Sequence, residues 1–257
     1  MIEPFLLKSE DMVFSQVNCN GIGHASNCQL LSPNTSKTLG VGVSTYDGCS
    51  IESTTRYDKI VMVLSGIFRI LTEENYSRVI EARFGDVIWL PKGTRLKYEG
   101  EQAKVFYSLY PVDWETRGDA NDEVKPTTEV LHLPASSMIF YQMQVLAGGY
   151  ASTCSLIGPA ISNTLGATMA TFDGCSIEWT TKYDQASVGL SGTFRAVTGE
   201  NFSRVMEAKL GDVIWLPKGT RLKYGGDKAV HLFVPYPINW RTSGERPRPS
   251  YWPTSVR

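Results

Sequence analysis

Apolar positions along this chain fall in short blocks that alternate with polar ones or run on for a few residues. KIVMVLSG, GIFRIL and GDVIWLP are three such blocks, each bounded by Gly, Pro, Asn or Asp. Period-two alternation and continuous runs of this length predict β-strands, and the punctuation predicts tight turns between them. TEENYSRV and TGENFSRV set polar turn-formers between two strand-like runs and read as hairpin tips. No long stretch has the 3.6-residue period of an amphipathic helix, which disfavours parallel α/β folds. A double-sheet barrel that closes its own edges is the expected all-β architecture.

The pattern occurs twice. Residues 48–100 return as residues 174–226 at a constant offset of 126, without a gap. The same offset pairs Phe14 with Phe140, Gln16 with Gln142, Leu39-Gly40 with Leu165-Gly166, and Tyr110-Pro111 with Tyr236-Pro237, ending at Trp114 and Trp240. Self-similarity over this length predicts two copies of one barrel in tandem. The expected division is a first barrel over 1–114, a polar linker over 115–130 and a second barrel over 131–257. The last of these ends in the proline-rich, basic tail RTSGERPRPSYWPTSVR, in which Tyr251 and Trp252 would need cover from the other barrel or a second subunit. A duplicated barrel builds a two-barrel unit within one chain, so a monomer or a homodimer is expected.

Composition narrows the function classes. The chain has 257 residues, 42% hydrophobic and 20% charged, with a formal net charge of -1, so it presents no field of one sign to attract nucleic acid or an anionic membrane. No run of eighteen apolar residues occurs, and the N-terminus has no basic segment leading into a long apolar one. The expectation is a cytoplasmic protein with no nucleic-acid or membrane partner. Five cysteines without a CxxC pair, Cys19, Cys28, Cys49, Cys154 and Cys175, read as small buried residues in a reducing compartment rather than a disulfide framework.

GDVIWLPKGTRLKY resembles the second motif of the cupin superfamily, in which Gly, five residues, Pro, one residue, Gly and two residues usually precede a histidine. The run from Gly48 to Gly66, closing with VMVLSG, resembles the first motif, which usually carries two histidines and a glutamate for a divalent metal. More narrowly, YDKIVMVLSG, GDVIWLPKG and the terminal YPVDW or YPINW resemble the ethanolamine-utilisation EutQ type of cupin. The resemblance covers both repeats. It implies two tandem cupin (double-stranded β-helix, or jelly-roll) barrels and an acetate kinase-like or scaffolding role. Two features depart from that type: Lys59 and Gln185 stand where an acidic residue follows YD, and the barrel is duplicated. Read slot by slot, the glutamate position falls on Lys59, the paired histidine positions on Glu52 and Thr54, and the last histidine on Leu96. The second repeat has Gln185, Glu178, Thr180 and Leu222 there. Neither lysine nor leucine replaces imidazole, and one carboxylate per barrel is too few for a Zn, Fe or Mn site, so no metal and no other cofactor is expected.

A cupin barrel without its metal still encloses a cavity, and alternation predicts its lining. Glu52, Thr54, Lys59, Val61 and Val63 are expected to face inward in the first barrel, and Glu178, Thr180, Gln185, Ser187 and Gly189 in the second. Tyr98 and Tyr224 should join them, with Trp89 and Trp215 near the mouth. Arg195 either points in to bind a carboxylate or phosphate or forms an exposed cross-strand pair. His231, on a late strand of the second repeat, is either a cavity or a packed residue. Two functions fit. One is a metal-independent lyase, isomerase or cyclase acting on a small organic molecule, with Glu52 or Glu178 as base and Lys59 or Tyr224 as acid. The other is a non-catalytic bicupin that binds a small ligand or scaffolds a pathway.

Overall fold

The computed structural model describes residues 3–20, 22–117, 126, 128–145 and 148–240. The C-terminal tail with Tyr251 and Trp252, and most of the linker expected over 115–130, lie outside the described residues. Through the first repeat run β1 (Phe5–Leu7), β2 (Ser15–Val17), β3 (His24–Leu31), β4 (Gly40–Asp47), β5 (Ser50–Thr54), β6 (Asp58–Thr72), β7 (Arg78–Ala82), β8 (Val87–Leu90) and β9 (Arg95–Tyr110). Through the second run β10 (Leu131–Leu133), β11 (Tyr141–Gln142), β12 (Tyr150–Ile157), β13 (Ala167–Asp173), β14 (Ser176–Thr180), β15 (Asp184–Thr198), β16 (Arg204–Ala208), β17 (Val213–Leu216) and β18 (Arg221–Tyr236). All pairings between these strands are antiparallel, in two nine-stranded sheets of matching order. The expected all-β fold with two tandem cupin barrels is what the chain adopts.

The barrels do not divide the chain linearly. One compact unit is residues 12–137, and the other is residues 1–11 together with 138–257. The expected boundaries at 114 and 131 are corrected accordingly. β1 leaves the first repeat to pair with β17, Phe5 opposite Trp215, while β10 stays with the first barrel and pairs with β8, Leu131 opposite Trp89. An equivalent aspartate anchors each arm. Asp212 accepts the Ser9 backbone N–H at 2.8 Å and the Lys8 ammonium at 3.0 Å. Asp86 accepts the Ala135 N–H at 2.8 Å and faces His132 Nε2 at 3.0 Å. The exchange covers one edge of each sheet.

Two interruptions set which side chains face the barrel interior. In β6 the ladder shifts register between Val63 and Ile67, around Gly66 at φ 69°, where an added Cβ would lie 2.2 Å from the Gln102 carbonyl oxygen. In β9 Gln102 adopts φ 48°, its N–H held by Asp47 Oδ1 at 3.0 Å. Each irregularity changes the parity of the inward set. Lys59, Val61 and Val63 are followed by Phe68 and Ile70, and Leu96 and Tyr98 by Ala103, Val105 and Tyr107. The second barrel repeats the scheme with Lys228 at φ 46°.

Candidate functional site

Within the second barrel, β12, β13, β14, β15 and β18 converge on a partly open cavity of about 70 Å³. Its walls are aromatic: Phe172, Trp179, Tyr183, Tyr224 and Phe233. Tyr224 lies 6.1 Å from Phe172 and 5.9 Å from Phe233, ring centre to ring centre. Polar groups are few. Gln185, 3% exposed, donates from Nε2 to the Tyr224 hydroxyl at 3.3 Å, and Thr153 and Thr168 supply hydroxyls. Burial holds the Tyr224 phenol protonated, far above its ordinary range. An apolar wall with a small polar contact set is the ordinary form of a small-molecule site.

The first barrel carries different chemistry at the same positions. Lys59 stands where Gln185 stands, and its ammonium sits 4.9 Å from the centre of the Tyr98 ring and 4.6 Å from that of Tyr107. Only 6% of the residue is exposed, and it makes no ion pair with any described residue. Burial alone lowers its pKa to about 8, because removing water penalises the charged form. Tyr107 donates its O–H to Asn27 Oδ1 at 3.0 Å, and Ser44 donates to the same oxygen at 3.0 Å. The Tyr98 hydroxyl is buried without a hydrogen-bond partner among the described residues.

Several expected lining residues lie elsewhere. Glu52 faces solvent, with Arg95 at 2.8 Å and the Tyr76 hydroxyl also against it, and these contacts hold its carboxyl below the usual range. Glu178 is its counterpart, paired with Arg221 at 2.6 Å. Thr54 and Thr180 share that outer face, and Ile51 and Ile177 pack inward instead, with Trp179 on the cavity wall. Glu52 and Glu178 are therefore not cavity bases. A one-residue error in register flips every side chain of a strand. The inward positions before the Thr55–Tyr57 bend keep the odd numbering of Lys59, a continuity that marks Ser53 and Trp179 from sequence. Arg195 is on the surface between Glu207 and Asp227, each at 2.7 Å, so it is the exposed pair. Trp89 and Trp215 occupy the opposite face of β8 and β17 from Ile88, Leu90, Ile214 and Leu216, so they do not flank a cavity mouth. Trp89 donates to Thr128 Oγ1 at 3.1 Å.

Lys59, Tyr98, Gln185, Tyr224, Ser187 and His231 do face inward. Ser187 and His231 are wholly buried, and neither the Ser187 hydroxyl nor the imidazole nitrogens make a hydrogen bond of normal geometry with the described residues. The His231 ring lies 4.3 Å from Phe194, and burial drives its pKa down to about 3, against weak opposite pulls from the Ala208 backbone and Asp212. It packs below the cavity, outside the lining. Cys28, Cys49, Cys154 and Cys175 are buried and their thiols raised by desolvation, which disfavours the nucleophilic thiolate. Among the described residues no three His, Cys, Asp or Glu side chains come together, and Leu96 and Leu222 fill the last ligand slot. The donor set does not fit the divalent metal of other cupins. No described helix is long and apolar enough to cross a membrane.

The family model described as "Ethanolamine utilisation protein EutQ" matches residues 13–116 and again 148–242. An acetate kinase EutQ of Salmonella typhimurium is 30% identical over 81 residues, 31% of this chain and 34% of that protein. An acetate kinase EutQ of Clostridioides difficile is 29% identical over 83 residues, 32% and 51% of the two chains. The matched segment thus spans about a third to a half of the length of these relatives. A putative glyoxylate-induced protein from Pseudomonas aeruginosa superposes with a TM-score of 0.72 at 13% identity, covering 97% of this chain and 93% of that one. A point mutant of the Bacillus subtilis oxalate decarboxylase gives 0.64 at 12% identity, covering 93% and 78%. At such identities the structural likeness establishes the fold alone.

Proposed function

Because this chain belongs to the EutQ family of ethanolamine-utilisation proteins, we propose that it is a metal-independent bicupin whose second barrel binds a small organic molecule. The observation that carries the reading is the aromatic-walled cavity of about 70 Å³ with the Gln185–Tyr224 pair in its wall. Tyr224 accepts the amide and keeps its own O–H to donate, so a ligand with one acceptor group on a compact apolar body is favoured. No charged side chain among the described residues lines the cavity, so the ligand is neutral: binding an ion there would strip its water without a counter-charge. The curated relatives bear the name acetate kinase, so acetate enters the screen as the anion that this uncharged cavity is expected not to hold. Sites for drug-sized ligands occupy several hundred Å³, so phosphoryl transfer from a nucleotide is not part of this reading. Neither Glu52 nor Glu178 serves as a base in it, because both carboxylates are exposed and paired with arginine.

The test is a thermal-shift screen of small alcohols, amides, ketones and acids on the intact chain, with native mass spectrometry of freshly purified protein for a retained ligand. Gln185→Leu keeps the volume and removes the polar handle, and Ala170→Leu fills the space. A compound that raises the melting temperature of the parent and fails with both variants, each shown folded by circular dichroism, supports the site. A shift that survives both substitutions, or the absence of any shift and any retained ligand, refutes it. Added Zn²⁺, Mn²⁺ or Fe²⁺ should leave the melting temperature unchanged.

A further inference from the structure

The first barrel contains a feature that ligand binding in the second does not use. Lys59 enters the barrel from β6, an amine buried among aromatic rings without a carboxylate among the described residues to neutralise it. The other barrel shows that the fold does not need a lysine here, since Gln185 occupies the equivalent position. Isolated buried charge is costly. A lysine that the scaffold does not require, kept where its charge is penalised, is suited to act as a neutral amine.

The barrels also differ in a residue close to this position along the chain. Trp179, which walls the second cavity, is replaced at the equivalent position by Ser53. The Tyr98 ring lies 4.9 Å from the ammonium, and its hydroxyl has no hydrogen-bond partner among the described residues. The geometry points to Lys59 as a carbonyl-capturing amine, with the first barrel taking a small aldehyde or ketone as an imine. An anion is the weaker candidate: it would have to shed its hydration shell for a single ammonium among aromatic faces. A neutral carbonyl compound enters at little desolvation cost.

The step balances without a co-reactant. The Nζ lone pair forms the C–N bond to the carbonyl carbon as the C=O π pair moves onto oxygen. One amine proton passes to that oxygen to give the carbinolamine. The nitrogen then loses its second proton, the hydroxyl leaves with a proton as water, and the C=N bond forms. Both protons that leave with the oxygen as water come from the amine, so the balance needs no further acid. The neutral amine required for attack is available near neutral pH, because burial holds the Lys59 pKa at about 8.

The intact chain would be treated with substoichiometric propionaldehyde and cyanoborohydride at pH 8, which reduces any imine to a stable secondary amine, and the products mapped by peptide mass. The expected result is propylation of Lys59 at least about tenfold faster than at exposed lysines such as Lys182 or Lys228, with the Lys59 rate rising as pH passes through about 8. Lys59→Gln, which copies the second barrel, should lose the fast product. Lys59→Arg, which keeps a cation and cannot form an imine, should lose it too. The site mapping on the parent protein decides the matter even if a variant fails to fold. Lys59 left unlabelled, or labelled no faster than exposed lysines, overturns the proposal. So does a melting shift produced by propionate while propionaldehyde leaves Lys59 unmodified. Loss of ligand binding in the second barrel would bear only on the separate reading made for that cavity.

Discussion

Lys59 should make the stability of the first barrel depend on pH in a way that its removal abolishes. Its pKa falls from 10.5 to about 8 on folding, with burial as the only cause. At a cost of about 1.4 kcal/mol per pKa unit, the folded state loses about 3 kcal/mol by holding the ammonium, before any structural relaxation. The sign follows from proton counts. Between pH 8 and 10.5 the unfolded chain binds the proton and the folded one does not, so stability rises with pH across this window. Below about pH 8 the full penalty is present. The two ring contacts recover part of it, since each cation–π contact contributes on the order of 1 kcal/mol. Lys59→Met, which keeps the aliphatic length, should therefore raise the unfolding free energy by about 1 to 3 kcal/mol at about pH 7. The assay is urea denaturation of parent and variant from about pH 6.5 to 10.5, followed by tryptophan fluorescence. The gain should shrink steadily above about pH 8. A variant less stable than the parent at neutral pH, or a difference that does not change with pH, would refute the argument that Lys59 is buried unpaired.

His231 offers the complementary test in acid. Its folded pKa of about 3 lies below the ordinary 6.5, so the unfolded chain gains a proton that the folded one refuses as pH falls. From this residue the second barrel should lose up to about 4 to 5 kcal/mol between pH 6.5 and 3. His231→Val, matching Val105 of the first barrel, should move acid unfolding to lower pH, read by circular dichroism. The strand exchange predicts a second effect: Asp212→Ala removes the acceptor of the Ser9 N–H and of Lys8 and should destabilise the second unit by about 1 to 3 kcal/mol in urea denaturation. Asp86→Ala should act equivalently on the first unit through Ala135 and His132.

Much of this protein is legible in its amino-acid order. The gapless repeat and period-two blocks determine two all-β barrels, because alternation is a local property of the strand and needs no knowledge of partners. The slot-by-slot loss of ligands, Lys59 and Gln185 for glutamate and Leu96 and Leu222 for histidine, can likewise be counted from glycine and proline landmarks. The inward placement of Lys59, Tyr98, Gln185 and Tyr224 follows from the same count. The tertiary structure decides what depends on breaks in that local rule. An even-numbered parity ahead of the Thr55–Tyr57 bend puts Glu52 and Glu178 in the cavities, whereas Ile51 and Ile177 pack inward and leave both carboxylates exposed beside Arg95 and Arg221. The exchange of β1 and β10 is hidden from local pattern, because which sheet edge a three-residue strand covers depends on distant contacts. Ser9 meets Asp212 across 203 positions, and Ala135 meets Asp86 across 49. A strand's faces are written in its own residues, whereas its partners and the depth at which a lysine loses its water are set by the rest of the chain.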